Sequence, residues 1–242
     1  MTHSPTTSYN ALPLTAQTAL VGCVIAAIFL SVPQIDIWAA SLFRWGDGFI
    51  MGGTALGQFF KDFINALTNF LIYFVLGGLI LSALFHKNGP LFGIGRRGFT
   101  YLFAAIALGP GIFVNAILKE LWGRARPQDV IELGGERLFT PPFIITDQCA
   151  SNCSFVSGDV AIAFSSVAFA LLLPGALRHK ALKWSVWFGL LIGLTRMAQG
   201  KHFLSDVLFA GIFTIIIAGL CHAVIMERRW GVEDWLRKKL PF

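Results

Sequence analysis

The sequence predicts an all-α integral membrane protein, a bundle of six transmembrane helices, and three observations carry this. Of its 242 residues 55% are hydrophobic and only 13% are charged, against about 25% charged in an ordinary soluble chain. The mean hydropathy is +0.68. Six apolar runs each approach the ~20 residues that a helix needs to cross a bilayer.

In chain order, residues 1–12 are polar at their start and form a flexible N-terminus. The first eleven residues hold no Lys or Arg, so no cleaved signal peptide is expected. No lipidation motif is evident. The spans cover 13–32, 63–85, 98–118, 158–177, 184–202 and 205–226, one six-span domain over 13–226. Glycines recur in them (Gly77, Gly78, Gly109, Gly111, Gly189, Gly193, Gly211), as suits close helix packing in lipid. Between the first two spans, Pro33 to Phe60 mixes Ile35, Trp38, Leu42 and Trp45 with Asp36, Arg44 and Asp47. That stretch reads as interfacial, and two readings of it stay open, anchoring alone or anchoring that also shapes a lipid entrance. Residues 227–242 read as a basic amphipathic tail in the headgroup plane.

Six spans put both termini on one side, and the positive-inside rule selects the cytoplasm. That side collects Lys87, Arg96, Arg97, Arg178, Lys180, Lys183, Arg228, Arg229, Arg237, Lys238 and Lys239 against Glu227, Glu233 and Asp234. The net charge of +6 is therefore a topology signal and an attraction to anionic headgroups, not a sign of nucleic-acid binding. The four cysteines match no zinc spacing, and neither metal nor cofactor is expected. The partners implied are lipids.

The charges left on the outer side fall in three places. Lys119-Glu-Leu-Trp-Gly-Arg-Ala-Arg126-Pro127 ends the third span. As helix, it would put Lys119 and Arg126 on one face, an anion clamp, before Pro127 stops it. Ser157-Gly158-Asp159 opens the fourth span, with Ser157 as N-cap and Gly158 admitting a ligand close to the backbone. Thr195-Arg196 to Asp206 joins the last two spans. If this stretch stays helical, His202 and Asp206 are neighbours one turn apart. A carboxylate there can hold one imidazole nitrogen and leave the other free to attack.

Lys119, six residues, then Arg126-Pro127 resembles the first motif of the type 2 phosphatidic acid phosphatase superfamily. Arg196, five residues, His202, three residues, Asp206 resembles its third. The resemblance implies a six-span phosphatase with its active site at the periplasmic face of a bacterial inner membrane. His202 would be the nucleophile that forms a phosphohistidine, and Asp206 would orient it. Lys119, Arg126, Arg196, Ser157 and Gly158 would bind the phosphate without metal. The second motif departs: the family has Pro-Ser-Gly-His, this chain Val156-Ser157-Gly158-Asp159. His202 is the one outer-side histidine, so none replaces the missing acid. Three readings stay open. Asp159 is an acid kept protonated by burial and bound phosphate, the leaving group needs little help, or the protein is a weakened relative.

With Asn152-Cys153-Ser154-Phe155 upstream, the variant motif is most similar to bacterial lipid A phosphatases. An aspartate acid would favour the anomeric 1-phosphate, whereas the motif variant leans to the 4′-phosphate. Undecaprenyl diphosphate and phosphatidylglycerol phosphate are further candidate substrates. Transfer of the phosphoryl group to an acceptor lipid, or silent lipid binding, are the alternative activities. Cys149 and Cys153 lie just before the second motif, and on an oxidising side a disulfide there would pin its loop.

Overall fold

The computed structural model describes residues 10–85 and 89–227. The expected amphipathic tail, apart from Glu227, the start of the N-terminus, and His86 and Lys87 lie outside them. The fold is a helical bundle built on α9 (Leu204–Ile225). α9 packs against α1 (Leu12–Ser31), α4 (Arg96–Ile106) and α6 (Gly158–Phe164). Among the described residues, four helical stretches are long and apolar enough to cross a membrane: Leu12–Ser31, Ala55–Leu84, Arg96–Leu121 and Leu204–Ile225.

α1 and α3 (Ala55–Leu84) lie at the periphery and turn Leu20, Phe70 and Tyr73 outward, whereas half of the most apolar window of α9 is buried. Large apolar side chains facing outward on a helical bundle suit a lipid environment. The interior is closed by small residues. A Cβ on Gly189 or Gly211 would come within 2.3 Å and 2.7 Å of the Phe164 ring. That is how α6, α8 (Gly175–Ala198) and α9 meet so tightly.

Several sequence expectations shift. The run at 158–177 is two short helices, α6 and α7 (Ser166–Leu171), parted at Ser165. The Ser165 hydroxyl donates to the Ala161 carbonyl at 3.0 Å, a back-bond of the kind that bends helices. α8 begins at Gly175, so Arg178, Lys180 and Lys183 sit in its first turns and not in a loop. The third run is continuous from Arg96 to Leu121, but Ala107–Leu118 is widened to π-helix around Pro110. Pro110 has no N–H to donate, and Asn115 Nδ2 caps the Pro110 carbonyl at 2.7 Å.

The interfacial stretch holds α2 (Gln34–Ser41) and a hairpin of β1 (Arg44–Trp45) with β2 (Gly48–Phe49), before Thr54 caps α3. The described ends of the chain meet: the Ala11 N–H donates to Glu227 Oε1 at 2.7 Å. Residues 10–12 therefore lead directly into α1, with Ala11 buried.

Candidate active site

The stretch between α8 and α9 does not continue as helix. α8 stops at Ala198, and Gly200 takes a φ of +68°, the usual left-handed exit from a helix. The hairpin then covers this exit: a Cβ on Gly200 would lie 2.4 Å from the Phe49 ring. His202 falls in the turn, and Asp206 sits in the first turn of α9, accepting from the Phe203 N–H at 2.8 Å. The two side chains still converge, through a turn and a cap and not through a helix face.

Lys119 and Arg126 do not share a helix face either. α5 (Lys119–Leu121) ends the third run before Arg126. The cause is tertiary. Gly123 has a φ of +66°, and a Cβ there would lie 1.7 Å from the Thr146 carbonyl oxygen, so the loop before the second motif lies directly on it. From there the two segments run side by side, Cys153 N–H to Lys119 O at 3.0 Å and Ser154 N–H to Arg124 O at 2.9 Å. Asn152 draws the two cations together: Lys119 Nζ donates to its side-chain oxygen at 2.6 Å and Arg126 Nη2 to its carbonyl at 2.7 Å. Asn152 has a φ of +49°, a conformation Asn tolerates better than most residues. Cys149 and Cys153 are joined around it, with Cα atoms 5.6 Å apart.

In the second motif, Ser157 caps α6 by accepting from the Val160 N–H at 3.5 Å. The Ser157 N–H is occupied by the Asp206 carbonyl at 3.3 Å. Gly158 makes room for a side chain of the protein, since a Cβ there would meet Asn115 Oδ1 at 2.4 Å. Asp159 Oδ2 pairs with Arg196 Nε at 2.9 Å. Arg196 also donates to Gln199, whose Nε2 is anchored on the Gly57 carbonyl at 2.8 Å.

These parts surround a cleft of about 730 Å³ walled in part by Lys61, Lys119, Arg126, Asn152, Asp159, Arg196, Gln199 and Lys201. His202, Asp206, Ser157 and Gly158 are buried and are not among its walls. Lys119 and Arg196 nonetheless lie near enough to His202 to act on its charge. Among the described residues, no cluster of three or more His, Cys, Asp or Glu is placed to hold a metal ion.

The His202 ring is 1% exposed. Its Nδ1 lies 2.8 Å from the Ser154 carbonyl and 3.7 Å from Asp206 Oδ2. A carbonyl can only accept, so Nδ1 carries the proton and Nε2 holds a lone pair. Among the described residues Nε2 has no hydrogen-bond partner. Burial pushes the imidazole down to about 4, although the Asp206 carboxylate pulls the other way. At neutral pH the ring is uncharged, the form a nucleophile requires.

Residues 98–230 match the PAP2 superfamily. A relative from Francisella tularensis subsp. novicida, described as "Lipid A 4'-phosphatase", is 35% identical over 87% of this chain and 95% of its own length. The chain belongs to the PAP2 superfamily. Relatives of the same description from Rhizobium etli and Rhizobium leguminosarum are 31% and 28% identical over 80% of this chain, covering 80% and 88% of their own lengths. No solved structure is a significant match.

This PAP2 member also carries site residues that its motifs did not single out. Arg124 is buried between two carboxylates, Nη2 at 2.8 Å from Asp36 and Nη1 at 2.6 Å from Asp206. Its Nε donates to the Thr140 carbonyl at 2.9 Å. Ser205 bonds both sides of the pair, donating to Asp36 at 2.6 Å and accepting from Arg124 at 2.9 Å. Burial raises the Asp36 carboxyl above its ordinary value, and Arg124 opposes this. Two sequence signals were present. Arg124 lies inside the first motif, and Asp36 is an acid among apolar neighbours, where ionisable residues tend to have a dedicated partner.

Proposed function

We propose that this protein is a membrane lipid phosphatase that removes the 4′-phosphate of lipid A through a phosphohistidine on His202. The observation that carries the reading is the uncharged His202, held by Nδ1 with Nε2 unpartnered, close to Lys119 and Arg196. Nε2 attacks phosphorus while Lys119, Arg126 and Arg196 neutralise the phosphate oxygens as the sugar oxygen leaves. As the bound phosphate draws Arg196 away from Asp159, the freed carboxylate takes up the proton of the phosphate monoanion and passes it to that oxygen. As a carboxylate it then takes a proton from the water that attacks the phosphohistidine, releasing phosphate and restoring His202. Ser157 and Gly158 support the phosphate side of the site by setting the start of α6. Asp206 acts on His202 from 3.7 Å and through Ser154, whose hydroxyl it accepts at 2.5 Å.

A lipid substrate is supported by α3. Lys61 and Asn65 line the polar cleft, and Thr68, Ile72 and Val75 continue the same helix face into an apolar groove of about 230 Å³. A headgroup in the cleft leaves an acyl chain room in the groove. The 4′-position is supported by the description shared by the three relatives.

The six-span layout with a periplasmic site is part of the same reading. His202 precedes the start of α9, whereas Glu227, which meets Ala11, follows its end. Arg178 lies near His222 at that second end. The end that carries Ala11, Glu227 and Arg178 is the cytoplasmic one by the positive-inside rule.

Purified protein in detergent, without divalent metal, is expected to release one phosphate from bisphosphorylated lipid A, and mass spectrometry is expected to find the 1-phosphate retained. Loss of the 1-phosphate instead would refute the position. Release only from undecaprenyl diphosphate or phosphatidylglycerol phosphate would refute the substrate. Asp159→Asn is expected to lower turnover ~10²-fold or more, the usual worth of a general acid. KM should hardly rise, because the substitution frees Arg196 from its ion pair. Unchanged turnover would remove Asp159 from the mechanism.

A further inference from the structure

The buried charges around Arg124 run from the short helix α2 to the imidazole of His202. We propose that Asp36 and Arg124 are positioning residues for that imidazole: Asp36 holds Arg124, Arg124 holds Asp206, and Asp206 with Ser154 fixes the ring. The proposal rests on His202 as the nucleophile.

Every link is a short contact between groups withdrawn from solvent. Arg124 reaches Asp36 at 2.8 Å and Asp206 at 2.6 Å, with no side-chain exposure on either side. The other oxygen of Asp206 accepts from the Ser154 hydroxyl at 2.5 Å and the Phe203 N–H at 2.8 Å. The Ser154 carbonyl accepts the hydrogen bond that His202 Nδ1–H donates at 2.8 Å. Arg124 also accepts the Ser154 N–H on its own carbonyl at 2.9 Å. Its guanidinium lies 4.4 Å from the ring centre of Phe203, the residue after His202. One arginine thus fixes both groups that face Nδ1.

The arrangement does more than fill the core. Apolar side chains of similar volume commonly stabilise a buried position as well as an ion pair does. What the charges add is direction. With both oxygens of Asp206 engaged, the carboxylate is held beside Nδ1, where it favours the Nδ1–H tautomer and leaves the Nε2 lone pair free. Asp36 supplies the far anchor from α2, whose Trp38 is 61% exposed. The seating of that helix at the edge of the bundle is thereby coupled to the imidazole.

The test compares wild type, Asp36→Asn and Ser205→Ala, each full-length and checked for folding by thermal unfolding. Asp36→Asn is expected to lower kcat at least ~10-fold with KM within ~3-fold of wild type, the pattern of lost transition-state alignment. Nitrogen NMR of histidine-labelled protein is expected to show the His202 Nδ1–H signal of wild type replaced by a mixture of tautomers. Ser205→Ala keeps every charge and removes the hydroxyl between Asp36 and Arg124, so it decides the matter if Asp36→Asn does not fold. Its expected loss is ~3–10-fold in kcat, again without a KM change. A folded variant with wild-type kcat and tautomer signal overturns the proposal, as does an effect confined to KM. If wild type releases no lipid phosphate, the phosphatase reading fails by itself, and the tautomer signal still decides whether Asp36 positions His202.

Discussion

His202→Asn is expected to abolish phosphate release, with a loss of at least ~10⁴-fold in kcat, the scale seen when an enzyme loses its nucleophile. Asparagine is the informative replacement because its amide nitrogen can still donate to the Ser154 carbonyl where Nδ1 does now. The cleft keeps Lys119, Arg126 and Arg196, so binding of inorganic phosphate should survive. Acid-quenched protein incubated with labelled lipid should carry label in wild type and none in the variant. Equal labelling would place the nucleophile elsewhere.

The same variant tests the charge state of the imidazole. The folded His202 sits at about 4, below the ~6.5 of an unfolded chain. Between these values the unfolded state binds the extra proton. The contribution of His202 to stability is therefore full above about 6.5 and is lost as the pH falls toward 4. Thermal unfolding of wild type should weaken across that window. The decline should be shallower in His202→Asn, which has no imidazole to charge.

How much of this was legible depends on whether the cause is local. Lys119, Arg126, Arg196, His202 and Asp206 stood out because chemistry-bearing residues at fixed spacings beside apolar runs are visible in one dimension. Their geometry departs from a helical reading where a distant segment intervenes. Nothing near Lys119 says that Thr146 will lie on Gly123 and end the helix early, so the sequence alone predicts a shared helix face where Asn152 does the joining. Gly200 offered a local signal, a glycine after a polar residue at the end of an apolar run, and the helix does exit there. At Gly158 the sequence suggests room for a ligand, and in the fold it is Asn115 that lies where a Cβ would point. Asp36 and Arg124 are 88 residues apart, and the spacing rules of helices do not reach that far.

Arg124→Met is expected to be the most damaging substitution for stability, for a reason that depends on pH. Methionine roughly fills the volume but leaves Asp36 and Asp206 buried without the cation that bonds both at 2.8 and 2.6 Å. Breaking one side of a buried ion pair costs about 3–5 kcal/mol, a large share of the 5–15 kcal/mol that holds a typical domain together. Burial already raises the Asp36 carboxyl and Arg124 restrains it, so without Arg124 it rises further. A carboxyl raised in the fold binds its proton more tightly folded than unfolded, and that contribution is lost as the pH climbs through the raised value. The deficit of Arg124→Met should therefore be largest at neutral pH and shrink on acidification, opposite in sign to the His202 effect. Adding Asp36→Asn removes one of the stranded charges, and the double variant should unfold at a higher temperature than Arg124→Met alone. Thermal unfolding in detergent between pH 5 and 8 reads all three. A deficit under ~1 kcal/mol, the worth of an exposed pair, would mean that the Arg124 network is not the electrostatic keystone its burial indicates.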